Sequence, residues 1–293
     1  MPASKIPLVY LILGASGSGR REILADIIEG GLAPGDRSVV LLSGDEAPSP
    51  ADGKLGAVAA WRLVALPVHH GPRPDPSDEP PEPLHVIEAE PPEEATHLFF
   101  VTDGRRNPVD QIEAFKAWLT GRNVELAHIL CVVNCHLAEQ HPKLAHWYDA
   151  CIHFSDIVLL TRREGVANKW VSDFQARYEE QFYPCLFEIV KGGRVRNPAL
   201  ILEPRALRIS HAFDPEPEWI FRDAEGEVVD EDEVTEDDEE EVTATQAVDP
   251  YFVRRIGGRR EKEVPDIGRF LDGARFLTRW TGVHSMIVAR KNP

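Results

Sequence analysis

The chain has 293 residues, 43% of them hydrophobic and 28% charged, which suits one large domain or two small ones with an ordinary core. No apolar run approaches the roughly 20 residues of a membrane-spanning helix, and four cysteines, at 131, 135, 151 and 185, are too few and too scattered for a disulfide scaffold. The formal charge of −17 is local: residues 223–241 hold thirteen carboxylates and no Lys or Arg, leaving about −4 for the rest. Such a run reads as a solvated, self-repelling loop that could touch a basic partner. DNA or RNA binding is not expected, because phosphate contact needs a basic face.

In chain order, residues 8–13 (LVYLIL) predict a buried strand. Lys5 and the following apolar residues have some of the look of a leader, but Pro7 interrupts the run and a glycine turn follows. The segment is therefore read as a first strand and the protein as cytoplasmic. A helix is expected over 22–29, with Ile23 and Ile27 inward, then strands at 38–43 and, more weakly, 61–68. Residues 71–92 are rich in proline and carboxylates and read as an irregular loop. A strand at 98–102 leads to a helix over 108–119 that opens on Pro108, a residue suited to a first helical turn. Strand 127–133, helix 143–154, strand 156–160, helix 168–182 and strand 184–190 complete the pattern.

Continuous apolar strands separated by helices predict a mostly parallel sheet covered on both faces, a three-layer α/β domain within residues 1–195. Residues 196–293 read as a small irregular C-terminal region. It would hold one or two strands within 200–213, a disordered acidic loop at about 222–247, a helix over 266–281 and a last strand at 284–289.

The glycine turn is Gly14-Ala15-Ser16-Gly17-Ser18-Gly19-Arg20-Arg21. Its outer glycines match the phosphate-binding loop GxxxxGK[ST], and it lies where that loop must, after a strand and before a helix. The glycines let backbone N–H groups converge on an anion, and the helix start adds positive potential. Arg20 replaces the lysine that reaches the terminal phosphates, and Arg21 replaces the hydroxyl that ligates magnesium. Phosphate binding through Gly14, Gly17, Ser18, Gly19, Arg20 and Arg21 is therefore expected, with hydrolysis and magnesium poorly supported.

Three later segments add to this. Strand 98–102 ends in Thr102-Asp103-Gly104, and a carboxylate there could hold magnesium through water. Strand 127–133 ends in Val132-Val133-Asn134-Cys135, and strand 156–160 in Thr161-Arg162-Arg163-Glu164. In this order the segments resemble the CobW/HypB/UreG-like group of P-loop GTPases, CobW most of all, over about residues 5–190. The resemblance implies a P-loop NTPase-like domain, GTP as ligand, and metal or metallocofactor handling. It implies that Asp103 and Gly104 face the phosphates. Thr161, Arg162 and Glu164 stand in for the Asn-Lys-x-Asp that reads guanine. The family's Cys-x-Cys-Cys motif has no counterpart, since residues 66–97 contain no cysteine.

Cys131, Cys135 and His136 carry metal-ligand chemistry, but on a strand positions i and i+4 lie roughly 13 Å apart, so buried thiols are expected. His69, His70, His85 and His97 fall about where the missing cysteine motif would be. No Ser-His-Asp arrangement is evident from spacing. Two functions stay open: a divergent CobW-like protein binding GTP or another phosphate ligand with little hydrolysis, and a catalytically dead pseudo-GTPase acting as an interaction scaffold. A P-loop kinase-like transferase ranks below both.

Overall fold

A computed structural model describes residues 6–66, 82–92, 94–215, 219–222, 228–229 and 243–271. The elements follow in chain order as β1 (Leu8–Gly14), α1 (Arg20–Gly31), β2 (Ser38–Ser43), β3 (Ala57–Ala65), β4 (His85–Glu88), β5 (His97–Val101), α2 (Pro108–Leu119), β6 (Glu125–Asn134), α3 (Cys135–Gln140), α4 (Ala145–His153), β7 (Ile157–Thr161), α5 (Asn168–Glu179), β8 (Leu186–Ile189), α6 (Pro198–Leu202), β9 (Trp219–Arg222), β10 (Val228–Val229), β11 (Thr243–Gln246) and α7 (Gly268–Leu271).

The first eight strands form one sheet in the order β4-β3-β2-β5-β1-β6-β7-β8. Every pairing in it is parallel except β3 with β4. β1 is central, between β5 and β6, and its alternate residues enter different cores. Val9, Leu11 and Leu13 pack beneath α2, α4 and α5, with Phe115, Trp147, Tyr148 and Phe174. Tyr10 and Ile12 pack on the other face with Ile23 and Ile27 of α1 and Ile201 and Leu202 of α6. Burial of both faces is what a continuously apolar parallel strand requires. The three-layer α/β architecture is therefore as expected.

Several local expectations need correction. The irregular stretch 71–92 contains β4, an antiparallel edge strand on β3. The strands expected within 200–213 do not form: residues 198–202 are the helix α6, capped by Asn197 through its side chain to Leu200 N–H. The acidic loop at 222–247 falls largely outside the described residues, apart from the small β10-β9-β11 sheet. Of the helix expected over 266–281, residues 268–271 are described as helix, and the strand expected at 284–289 lies outside the described residues. Among the described residues no helix is long and apolar enough to cross a membrane.

The chain after β8 joins both cores. Tyr251, Ile267 and Leu271 lie in the core beneath α2 and α4. The fully buried guanidinium of Arg260 donates to Asp110 and Glu113 of α2 at 2.9 and 2.6 Å, and so fastens this strap to the helix.

Candidate functional site

The order of strands reverses about β1, so the carboxyl ends of β1, β5 and β6 open onto one crevice, the usual place for a ligand in an open α/β sheet. The glycine turn lies there. Gly14 closes β1 with φ of 142°, and an added Cβ would sit 2.5 Å from the Val132 carbonyl oxygen. Gly17 and Gly19 have φ of 80° and 91°, and Gly19 is the N-cap of α1. Ser18 is fully buried, and its carbonyl lies 2.8 Å from Thr161 Oγ1, which pins the turn to the end of β7. The strand–turn–helix of a phosphate loop is therefore present in its backbone.

Both arginines that follow that loop are tied to protein groups. The Arg20 guanidinium is 5% exposed and donates to the Thr102 carbonyl and to Glu46. Arg21 donates from Nη2 to Glu46 Oε2 at 2.9 Å, from Nη1 to both Asp52 oxygens at 2.9 Å, and from Nη1 to the Ala47 carbonyl at 3.1 Å. Glu46 Oε1, the oxygen that takes Arg20, also accepts the Gly104 N–H at 2.9 Å. Gly104 in turn lies against the loop: its carbonyl accepts the Ser16 N–H at 2.9 Å, and an added Cβ would fall 2.3 Å from that nitrogen. Two cationic side chains thus meet two carboxylates. The cluster is locally neutral and gives no net attraction to a polyphosphate.

The Glu46 carboxyl is pushed up by burial, but the Arg20 charge, the Gly104 N–H and the bonds from Arg20 and Arg21 outweigh that and hold it below its ordinary 4.5. Asp103, expected near magnesium, is buried and committed to its own turn. Its oxygens accept the Arg105 N–H at 2.9 Å and Arg106 Nε at 3.2 Å. The hydroxyl that would bind magnesium is Arg21 here. The residues at the phosphate end therefore do not fit a magnesium–nucleotide phosphate group.

The other expected residues lie at the far end of the crevice. Arg162 is half exposed with a left-handed φ of 51° and lies 3.9 Å from Glu22. With Glu164, Lys54, Asp26, Gly192 and Gly193 it lines an open cavity of about 590 Å³ that reaches Ser18 and Gly19. Thr161 belongs to the fold more than to this cavity, since its hydroxyl lies between the Ser18 and Val133 carbonyls at 2.8 and 2.9 Å. The expected residues thus fall in two groups, arginines paired with carboxylates and residues lining the open cavity.

Glu46 and Asp52 were not foreseen. The signal was present: two arginines in a buried turn need counter-charges, and the Gly-Asp-Glu after β2 is an acidic loop at the same edge of the sheet. Also unforeseen is the meeting of His153, Ser210 and Asp249. His153 Nε2 lies 2.8 Å from Asp249 Oδ2, and Ser210 donates to that same oxygen. The serine is bonded to the carboxylate rather than to the imidazole, so it is not arranged as an activated nucleophile. All four cysteines are buried and free, and burial pushes the Cys135 and Cys185 thiols up to about 12. His69 and His70 lie outside the described residues. Among the described residues no group of three His, Cys, Asp or Glu could hold a metal ion.

The fold and its glycine turn define the class: a three-layer α/β protein with a P-loop NTPase-like fold. No protein-family model and no curated protein matches the chain. Among solved structures it is similar to the Zn(II)-bound YjiA GTPase from E. coli, at 12% identity and a TM-score of 0.36, over 75% of this chain and 73% of that one. A Zn(II)-bound triple mutant of YjiA scores 0.38 at 12% identity with the same coverage. Cell division protein FtsY from Thermotoga maritima scores 0.38 at 14% identity, over 68% of each chain.

Proposed function

We propose that the chain is a catalytically dead pseudo-GTPase whose fold serves as a protein-interaction scaffold. The observation that supports it is the Arg20–Glu46–Arg21–Asp52 cluster, which commits both arginines that follow the phosphate loop to carboxylates. Catalysis of phosphoryl transfer is mainly positioning and charge stabilisation by a cation and a metal ion at the transferred group. Here the cations are neutralised internally and the metal-binding hydroxyl is replaced. The thirteen carboxylates of 223–241 suit a basic protein partner. Metal or metallocofactor handling, implied by the family resemblance, is not part of this reading, because the cysteine motif it depends on is missing from 66–97.

A second reading is nucleotide binding without hydrolysis. The open cavity beside Arg162 and Glu164 favours it, since its volume is in the range of small-ligand sites. Calorimetric titration of GTP, GDP, ATP and guanosine, with and without magnesium, separates the two. The scaffold reading expects no saturable binding at ligand concentrations on the order of 1 mM, a loss of about 8 kcal/mol or more relative to a nanomolar GTPase site. Magnesium-dependent, guanine-selective binding at micromolar levels would reject it in favour of the second.

A further inference from the structure

The Glu46 carboxylate does at this loop what a terminal phosphate does in a working switch protein. There, contacts to that phosphate order the flanking loops, and the loop cation reaches its oxygens. Here one carboxylate accepts the Gly104 N–H and takes both Arg20 and Arg21, with a side chain only 8% exposed. Gly104, which follows β5, is thereby tied to the loop after β2, and the Thr102 carbonyl is tied to the start of α1 by Arg20 itself. We propose that Glu46 is a built-in substitute for the terminal phosphate: an autoinhibitory contact that closes the loop to polyphosphate and fixes the turn at 102–106 in one position. This rests on the pseudo-GTPase reading and supplies its physical cause.

Glu46 lies 26 residues from Arg20 on the same chain, so it competes intramolecularly. A tether of this kind gives an effective concentration on the order of millimolar, and burial of the ion pair adds to it. A polyphosphate arriving from solution must displace the carboxylate before it meets either arginine. Once Glu46 is removed, the position changes sign. Arg20 is left buried beside a single carbonyl, and Arg21 keeps only Asp52 and the Ala47 carbonyl. An unpaired buried cation is strongly unfavourable, and an anion from solution relieves it.

The test uses the full chain, with inorganic pyrophosphate as the probe, read by thermal shift and calorimetry. Glu46→Ala is expected to melt below the wild type and to regain part of that loss with pyrophosphate. Its affinity for the probe should exceed the wild type's by at least about tenfold, as expected for charge-assisted contacts. Adding Arg20→Ala to that variant should abolish the gain. If Glu46→Ala does not fold, Glu46→Gln carries the same comparison, since it keeps the volume and removes the charge. Pyrophosphate affinity in whichever variant folds no higher than in the wild type would overturn the proposal. In that case, an equally inert wild type leaves the scaffold reading standing. Micromolar binding by the wild type itself would overturn both.

Discussion

Arg20 and Arg21 show how a substitution changes a site through the partner it recruits. Arginine for lysine keeps the charge, but the planar guanidinium binds a carboxylate on two nitrogens and seeks fixed partners. The loss of lysine and hydroxyl was legible in the sequence; Glu46 and Asp52 as partners were not. Pairs 25 to 31 residues apart in sequence leave no periodic trace, and the loop that carries these acids resembles any solvated turn. Arg20→Ala should cost about 1.5–3 kcal/mol in urea unfolding, because the buried Glu46 loses one charged partner while keeping Arg21 and the Gly104 N–H. Arg162→Ala, at a half-exposed residue 3.9 Å from its nearest carboxylate, should stay within about 0.5 kcal/mol. The depressed Glu46 carboxyl also sets a pH response. Its stabilisation is complete above its ordinary value of 4.5 and is lost as pH falls through its lower native value. Melting temperature should therefore drop on acidification below about pH 4.5, and Glu46→Gln should show a shallower drop. Equal slopes would remove Glu46 from the acid response.

At the scale of elements, caps and close approaches decide what forms. α2 begins where the sequence indicates, because Pro108 suits the first turn and Asn107 Oδ1 accepts the Val109 N–H at 2.9 Å. The same Asn-Pro pair precedes α6, where apolar residues suggested a strand; five residues are too few for a helical stripe to show. β4 was hidden for a similar reason, being four residues on an edge inside proline-rich sequence. Asn107→Ala should cost about 1 kcal/mol, the usual value of a lost cap, by chemical denaturation. Gly104→Ala should cost more, about 2 kcal/mol or above, since its methyl meets backbone at 2.3 Å and neither loop can yield without breaking the Ser16 bond. A Gly104→Ala protein as stable as the wild type would mean that the two loops are not in contact in solution.

Over the whole molecule, the parallel α/β class followed from apolar strands alternating with helices, but the order that places β1 between β5 and β6 did not. Strand order depends on contacts distant in sequence, and the local pattern is the same for many orders. The C-terminal strap was equally hidden, because its anchors are scattered side chains, Tyr251, Ile267 and Leu271 in the core and a few buried polar ties, with no periodic stripe. Arg260 reaches Asp110 and Glu113, and Asp249 joins His153 and Ser210. Arg260→Ala should destabilise the protein by about 3 kcal/mol and speed amide exchange over 249–271 more than over β1. Uniform acceleration would show that the strap and the sheet unfold as one unit. The long-range charge of the chain also belongs to this scale, since residues 223–241 carry thirteen carboxylates and the rest of the sequence is only mildly acidic.

The inhibition of the loop by Glu46 is tested most directly by following the amide resonances of Gly17, Gly19 and Gly104 while magnesium–GTP is added to the wild-type chain. With Glu46 in place those three signals should hold their positions to millimolar nucleotide. Saturable shifts of the three together, at micromolar nucleotide, would contradict the account.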